Sequence, residues 1–216
     1  MSLRNYDMGA EQELAKFLDL CFWARLKAEG TILDWERVID REVQLAGTDV
    51  VLTSHKGRFA CDEKSTLHYL NRNIPTFAFE LSFMRNDGSE ACGWLLNDEL
   101  ATTHYVLSWP CATTDDFRAV RCEDFTEAEV MVVPKASLRR WLASMGADAA
   151  RLAEWSRRLR ASNRSGRIDL GKNEYFFFKS GQLAEVPVNV VIYREFPAQL
   201  AKRVRYRATR DALVRL

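Results

Sequence analysis

Two short polar motifs stand thirteen residues apart in the chain, Gly47-Thr48-Asp49 and Asp62-Glu63-Lys64. Between them, Asp49 to Ser54 is β-rich, His55-Lys56-Gly57-Arg58 supplies a polar turn, and Phe59 to Lys64 resumes an extended pattern, so the segment is predicted to form a hairpin. Side chains alternate faces along a strand, which puts Asp62 and Lys64 on one side of the sheet and Glu63 on the other. Asp49, at the start of one strand, then lies beside Asp62 at the end of its partner, and two carboxylates and an ammonium converge. Two carboxylates completed by water suit a hard cation such as Mg²⁺ or Mn²⁺. Such a cation polarises a phosphoryl oxygen and lowers the pKa of bound water. A neighbouring lysine stabilises charge developing on the phosphate or orients the attacking water. This is an arrangement for phosphodiester hydrolysis. The plain alternative is an exposed cross-strand charge group of little consequence for stability.

The surrounding elements must position these residues. Leu14, Phe17, Leu18, Cys21 and Phe22 recur at spacings of three and four, predicting an amphipathic helix over Glu11 to Leu26 that ends near Gly30. Trp35 to Leu45 fits neither the helical nor the strand period. A helical piece at Leu67 to Leu70 and the breaker Pro75 precede a strand over Thr76 to Met84. Gly93 to Leu96 and Thr103 to Trp109 suggest a β pair closed by Pro110, and Val130 to Val133 a short strand stopped by Pro134. Ser137 to Arg160 reads as helix interrupted at Gly146, Glu174 to Phe178 and Val186 to Tyr193 as strands, and the basic tail from Phe196 as helix. The expected layout is one mixed α/β domain spanning residues 1–216, with a core over about 8–134 and a basic C-terminal α/β elaboration over about 135–216.

In order and spacing, Gly47-Thr48-Asp49 and Asp62-Glu63-Lys64 resemble the signature of the PD-(D/E)XK nuclease superfamily, the restriction-endonuclease-like fold. The resemblance covers about Glu11 to Met84. It implies a four-stranded mixed central sheet flanked by helices and metal-dependent cleavage of nucleic acid. Asp49 matches the family's first acidic metal ligand, Asp62 its second and Lys64 its catalytic lysine. The family often adds a glutamate from the first helix; Glu13 and Glu11 are both candidates, with Glu13 favoured as the third ligand. Thr48 stands where the family name has proline. Gln44, just upstream, and Glu80, on the next strand, are candidates to extend the site. The superfamily also contains members that only bind, so a non-catalytic nucleic-acid or protein interaction module is the rival reading.

The chain has 216 residues, 47% of them hydrophobic and 28% charged, a composition of folded globular proteins that excludes disorder and coiled coil. It has no run of eighteen apolar residues and no apolar leader, so a cytoplasmic protein without membrane segments is expected. Five cysteines without a CxxC pair argue for reduced thiols in or near the core. Three histidines lack HxxxH spacing, and GxSxG, P-loop and GxGxxG motifs are missing, so zinc hydrolase, serine hydrolase, NTPase and dinucleotide classes find no support. Trp94, Tyr105 and Trp109 read as packing residues rather than base-stacking platforms. Residues 1–134 carry 13 Lys and Arg against 23 Asp and Glu, whereas residues 135–216 carry 18 against 7. The basic half holds two clusters. Arg139, Arg140, Arg151, Arg157, Arg158, Arg160, Arg164 and Arg167 form one; Lys202, Arg203, Arg205, Arg207 and Arg210 form the other. They are candidates for contact with a phosphate backbone, DNA in particular. The alternative is that the acidic and basic halves neutralise each other, within one chain or in a homodimer.

Overall fold

The computed structural model describes residues 3–181, 183, 185–201 and 204–216. In chain order, α1 (Leu3–Leu18), a π-helical turn (Asp19–Trp23) and α2 (Ala24–Ala28) lead into β1 (Asp34–Arg37), α3 (Arg41–Leu45), β2 (Val50–Ser54) and β3 (Gly57–Ser65). β4 (Thr76–Met84), β5 (Glu90–Cys92), β6 (His104–Ala112) and β7 (Phe125–Pro134) follow. The chain continues through α4 (Lys135–Ser144), α5 (Ala149–Ala161), β8 (Gly166–Ile168), β9 (Tyr175–Lys179), β10 (Val188–Tyr193) and α6 (Glu195–Leu200), and closes with β11 (Arg205–Thr209) and β12 (Leu213–Arg215).

These elements sort into two compact units. The first comprises residues 1–74, 102–133 and 201–216, and the second residues 75–101 and 134–200. The expected division near residue 134 is therefore replaced by an interleaved one. Segment 75–101 folds with the helices and strands that follow residue 134, and the C-terminal strands return to the first unit.

The first unit is built on a mixed sheet in the order β1-β2-β3-β6-β7-β11-β12. β1, β2 and β3 form an antiparallel meander, and β6 runs parallel to β3, with Asp62 opposite Tyr105 and Lys64 opposite Leu107. The N-terminal helical run packs its apolar stripe, Ala10, Leu14, Phe17, Leu18 and Leu26, into a core with Val50, Cys61, Val106, Phe125, Val130 and Tyr206. Cys21, Phe22 and Trp23 are all buried, although a regular α-helix would turn one of three successive residues towards water. The wider π-helical turn at Asp19–Trp23 accommodates them.

The second unit is an antiparallel sheet in the order β5-β4-β10-β9-β8, carried with α4, α5 and α6. Thr76–Met84 is a strand as expected, but its partners are β10 and β5 rather than β3. Gly93 to Leu96 is a turn, not a strand. Gly93 donates its N–H to the Leu81 carbonyl at 2.8 Å, and a Cβ on it would sit 2.5 Å from the Glu80 carbonyl carbon. The glycine is thus required by close backbone approach.

The basic tail is the other correction. Helix ends at Leu200, and β11 alternates buried Tyr206 and Ala208 with outward Arg205 and Arg207. Strand periodicity in Arg205 to Thr209 overrides the helical expectation. β11 pairs antiparallel with the acidic strand β7, where Arg205 Nε meets Glu129 at 2.8 Å. Folding accordingly removes the charge division seen along the chain. The first unit holds 18 basic against 19 acidic residues and the second 13 against 11. No helix among the described residues is long and apolar enough to cross a membrane.

Candidate active site

The hairpin register sets the site. Val50 pairs with Cys61 across β2 and β3 and the Asp49 N–H donates to the Cys61 carbonyl at 2.9 Å, so Asp49 stands across from Asp62. Gly47 makes the approach with a left-handed φ of 83°, which side chains with a Cβ disfavour. Its carbonyl accepts from the Thr102 hydroxyl at 2.7 Å. Upstream, Asp40 caps α3 by accepting from the N–H groups of Glu42 and Val43. The acidic pair is thereby placed by a capped helix, a glycine turn and a ladder hydrogen bond.

Asp62 is 3% exposed, and its Oδ1 accepts from Lys64 Nζ at 2.5 Å. Burial pushes the Asp62 carboxyl up to about 6; the Lys64 ammonium pulls it down, and the facing Asp49 carboxylate adds to the rise. Lys64 is held above the ordinary amine range. Burial opposes its charge, but the carboxylates of Asp62 and Asp49, with Glu11 behind them, outweigh it. The Lys64 side chain retains 31% exposure.

Glu63 points the other way, as alternation requires, into a network that sequence reasoning missed. Its Oε1 accepts from Trp23 Nε1 at 2.8 Å, and its Oε2 from Arg37 Nη1 at 2.6 Å. Arg37 also donates to Asp19, Nη2 to Oδ1 at 2.5 Å. Burial raises the Glu63 carboxyl, while Arg37 and the Trp23 indole oppose the rise. The backbone N–H of the same residue donates to Asp49 Oδ2 at 2.8 Å. Glu63 therefore links both faces: its side chain is locked below the sheet, and its amide holds the first aspartate above. The available sequence signal was the alternation itself, since an acid facing a core requires a cation; nothing in the Trp35 to Leu45 stretch, which fits neither period, singles out Arg37 as that cation.

The remaining expected residues are placed as follows. Glu13 is turned elsewhere: Oε1 accepts from Lys16 at 2.7 Å and Oε2 from the Cys122 N–H at 2.9 Å, and these contacts hold its pKa below the ordinary value. Glu11, two residues earlier, is the helix carboxylate whose charge acts on Lys64. Gln44 donates to the Val38 carbonyl at 2.8 Å, bracing the connection into α3. Glu80 lies on β4 in the second unit's sheet, because the strand following β3 in the chain is not its neighbour in the sheet.

The arginines expected to meet nucleic acid are mostly engaged. Arg139 donates to the Leu95 carbonyl and to Asp98; Arg157 and Arg158 share Glu154 at 2.8 and 2.6 Å. Arg160 pairs with Glu90 at 2.9 Å and donates to Ser82, and Arg205 pairs with Glu129. Arg140 is exposed at the surface of α4 and donates to Ser137. Lys202 and Arg203 lie outside the described residues. Such pairing reduces the charge available to a phosphate backbone.

Cys21 and Cys61 are buried, and burial pushes the Cys61 thiol up to about 12, so it is an inert core group. Among the described residues, no group of three or more His, Cys, Asp or Glu side chains is arranged to hold a metal ion. Asp49 and Asp62 alone nevertheless fit a hard cation. They are opposed oxygen donors of one sign, Asp62 buried and Asp49 half-buried, and the raised Asp62 pKa marks a position where a positive charge is favoured. Comparison of the chain with known protein families, with curated proteins and with solved structures gives no match.

Proposed function

We propose that the chain is a divalent-cation-dependent phosphodiesterase acting on nucleic acid, DNA in particular, with a site of the PD-(D/E)XK kind. The observation that supports it is the convergence of Asp49, Asp62 and Lys64 on one sheet face, carried by the β2–β3 hairpin beside the parallel strand β6. The sheet that carries them is mixed, as the resemblance implies, but has seven strands rather than four.

Asp49 and Asp62 would hold Mg²⁺ or Mn²⁺, which supplies polarisation of the phosphoryl oxygen and an activated water. Asp62 must release its proton before it serves as a ligand, and with its carboxyl near 6 it does so at neutral pH. Lys64, cationic and partly exposed, is available to stabilise charge on the non-bridging oxygens and to orient the attacking water. The Glu63 amide keeps Asp49 directed into the site through its hydrogen bond to Oδ2. Incubation of the purified protein with plasmid or single-stranded oligonucleotide and Mg²⁺ or Mn²⁺ is expected to give cleavage that Asp62→Ala and Lys64→Ala each abolish. Cleavage that persists in both variants would remove these roles.

The rival reading, a nuclease-like scaffold kept for interaction alone, draws on the engaged arginines and on the pairing of Lys64 with Asp62. It predicts retention of nucleic acid or a protein partner with no cleavage under any divalent cation.

A further inference from the structure

The second unit carries a cavity of about 410 Å³ lined by residues of α5 and of the β8–β9 connection. Arg151, Trp155 and Arg158 project from one stripe of α5, at spacings of four and three, beside the buried stripe Leu152, Ser156 and Leu159. Lys172, in the β8–β9 connection, and Tyr175, the first residue of β9, line the other side with Leu170. The charges are unbalanced: Arg151, Arg158 and Lys172 meet one carboxylate, Glu154, which Arg157 also shares.

Most cations of this unit are committed elsewhere. Arg139, Arg160 and Arg167 have carboxylate partners, and Lys179 donates to the three carbonyls of Leu159, Arg160 and Ser162. Arg151, by contrast, donates to the Gly146 carbonyl at 3.2 Å, and among the described residues neither it nor Lys172 makes an ion pair. Both of these cations lie in the cavity wall. The aromatic component is rigid: Trp155 stacks on Phe177 with centroids 5.9 Å apart, and Tyr175 meets the same ring edge-on at 6.0 Å.

We infer that this cavity is a nucleotide-binding site, taking a phosphate monoester on Arg151 and Lys172 and an aromatic base against Trp155. A net positive wall matches a dianionic phosphate, a space of a few hundred Å³ suits a small molecule, and the Trp155 indole in that wall, with the Arg158 guanidinium beside it, supplies an aromatic partner for a base. The site shares no residue with Asp49, Asp62 or Lys64 and stands without the proposed hydrolytic activity.

The test is calorimetric titration of the full chain, in EDTA, with adenosine 5′-monophosphate, thymidine 5′-monophosphate and inorganic phosphate. Both nucleotides are expected to bind at least tenfold more tightly than phosphate. Arg151→Gln with Lys172→Gln is expected to weaken nucleotide binding at least tenfold with an unchanged melting temperature, whereas Asp62→Asn leaves it unaltered. Absence of nucleotide binding, phosphate binding of equal strength, or full affinity in the double variant would each overturn the assignment. Loss of nucleotide binding in Asp62→Asn would do so as well, by moving the ligand to the hydrolytic site.

Discussion

Replacing Arg37 by Met is expected to destabilise the protein by about 3 to 4 kcal/mol, because it orphans a carboxylate that has nowhere to go. The Glu63 side chain is 12% exposed and accepts from two donors, Arg37 and the Trp23 indole. Breaking a buried pair by removing one partner costs about 3–5 kcal/mol. The Trp23 hydrogen bond at 2.8 Å remains and moderates the loss for Glu63. Asp19, at 25% exposure, rehydrates and adds about 1 kcal/mol or less. For a chain of this size each kcal/mol moves the melting temperature by about 2–4 °C, so a fall of about 10 °C is expected. Glu63→Leu removes the acid and leaves Arg37 paired with Asp19, with a smaller expected cost. The double variant should therefore be more stable than the sum of the single losses by about 1.5 kcal/mol or more, measured as a double-mutant cycle of urea midpoints. Additive losses, or an Arg37→Met cost under about 1 kcal/mol, would refute the reasoning, since either result means that Glu63 is not held as a buried anion by Arg37.

Three further outcomes follow from the same geometry. In EDTA, Asp62 titrates near 6 when folded and near its ordinary 3.8 when unfolded, so the folded state binds more protons in between and stability falls as pH rises from about 4 to 6. Asp62→Asn should flatten that interval; a urea stability curve for the variant that still falls between about pH 4 and 6 contradicts it. Glu11→Gln should shift the Mg²⁺ concentration giving half-maximal thermal stabilisation several-fold while Glu13→Gln leaves it in place, because Glu11 acts on Lys64 whereas Glu13 holds the Cys122 amide; equal shifts would remove the distinction. Gly93→Ala, whose Cβ would meet Glu80 and Leu81 backbone atoms at 2.5 to 2.7 Å, is expected to cost about 3 kcal/mol or more in urea unfolding, and a cost below about 1 kcal/mol would show that β4 yields.

What was legible in the sequence was local. Val50 to Ser54 and Phe59 to Lys64 read as a hairpin because strand period and turn chemistry are short-range, and the pairing of Asp49 with Asp62 followed from counting. What was not legible was pairing at long range. Thr76 to Met84 is plainly a strand, but nothing within it says that β10, more than a hundred residues later, is its partner, so Glu80 was assigned to the wrong sheet. The same blindness applies to charge. Arg205 and Arg207 look like a phosphate-binding tail until β11 is laid beside Glu127 and Glu129 of β7. A tally along the chain measures composition by position, whereas the field around a folded protein depends on which positions meet.

The tripeptide Asp62-Glu63-Lys64 shows how an unfavourable acidic cluster can be held in place by the fold that it strains. Placing two carboxylates together in a buried position is unfavourable, as the raised Asp62 pKa records, and the hairpin end would relax by letting Asp49 swing away. It is restrained because strand alternation sends the middle residue through to the opposite face. There Arg37 and Trp23 fix the Glu63 side chain, and with the side chain fixed the Glu63 amide cannot leave Asp49 Oδ2. The network beneath the sheet and the acidic pair above it are thus one mechanical unit. Weakening the lower half should lower cation binding at the upper half beyond what global unfolding explains. In Arg37→Met at a temperature where the protein remains folded, Mg²⁺ binding measured by calorimetry is expected to weaken about tenfold; unchanged affinity would mean that the hairpin holds its carboxylates together without help from Glu63.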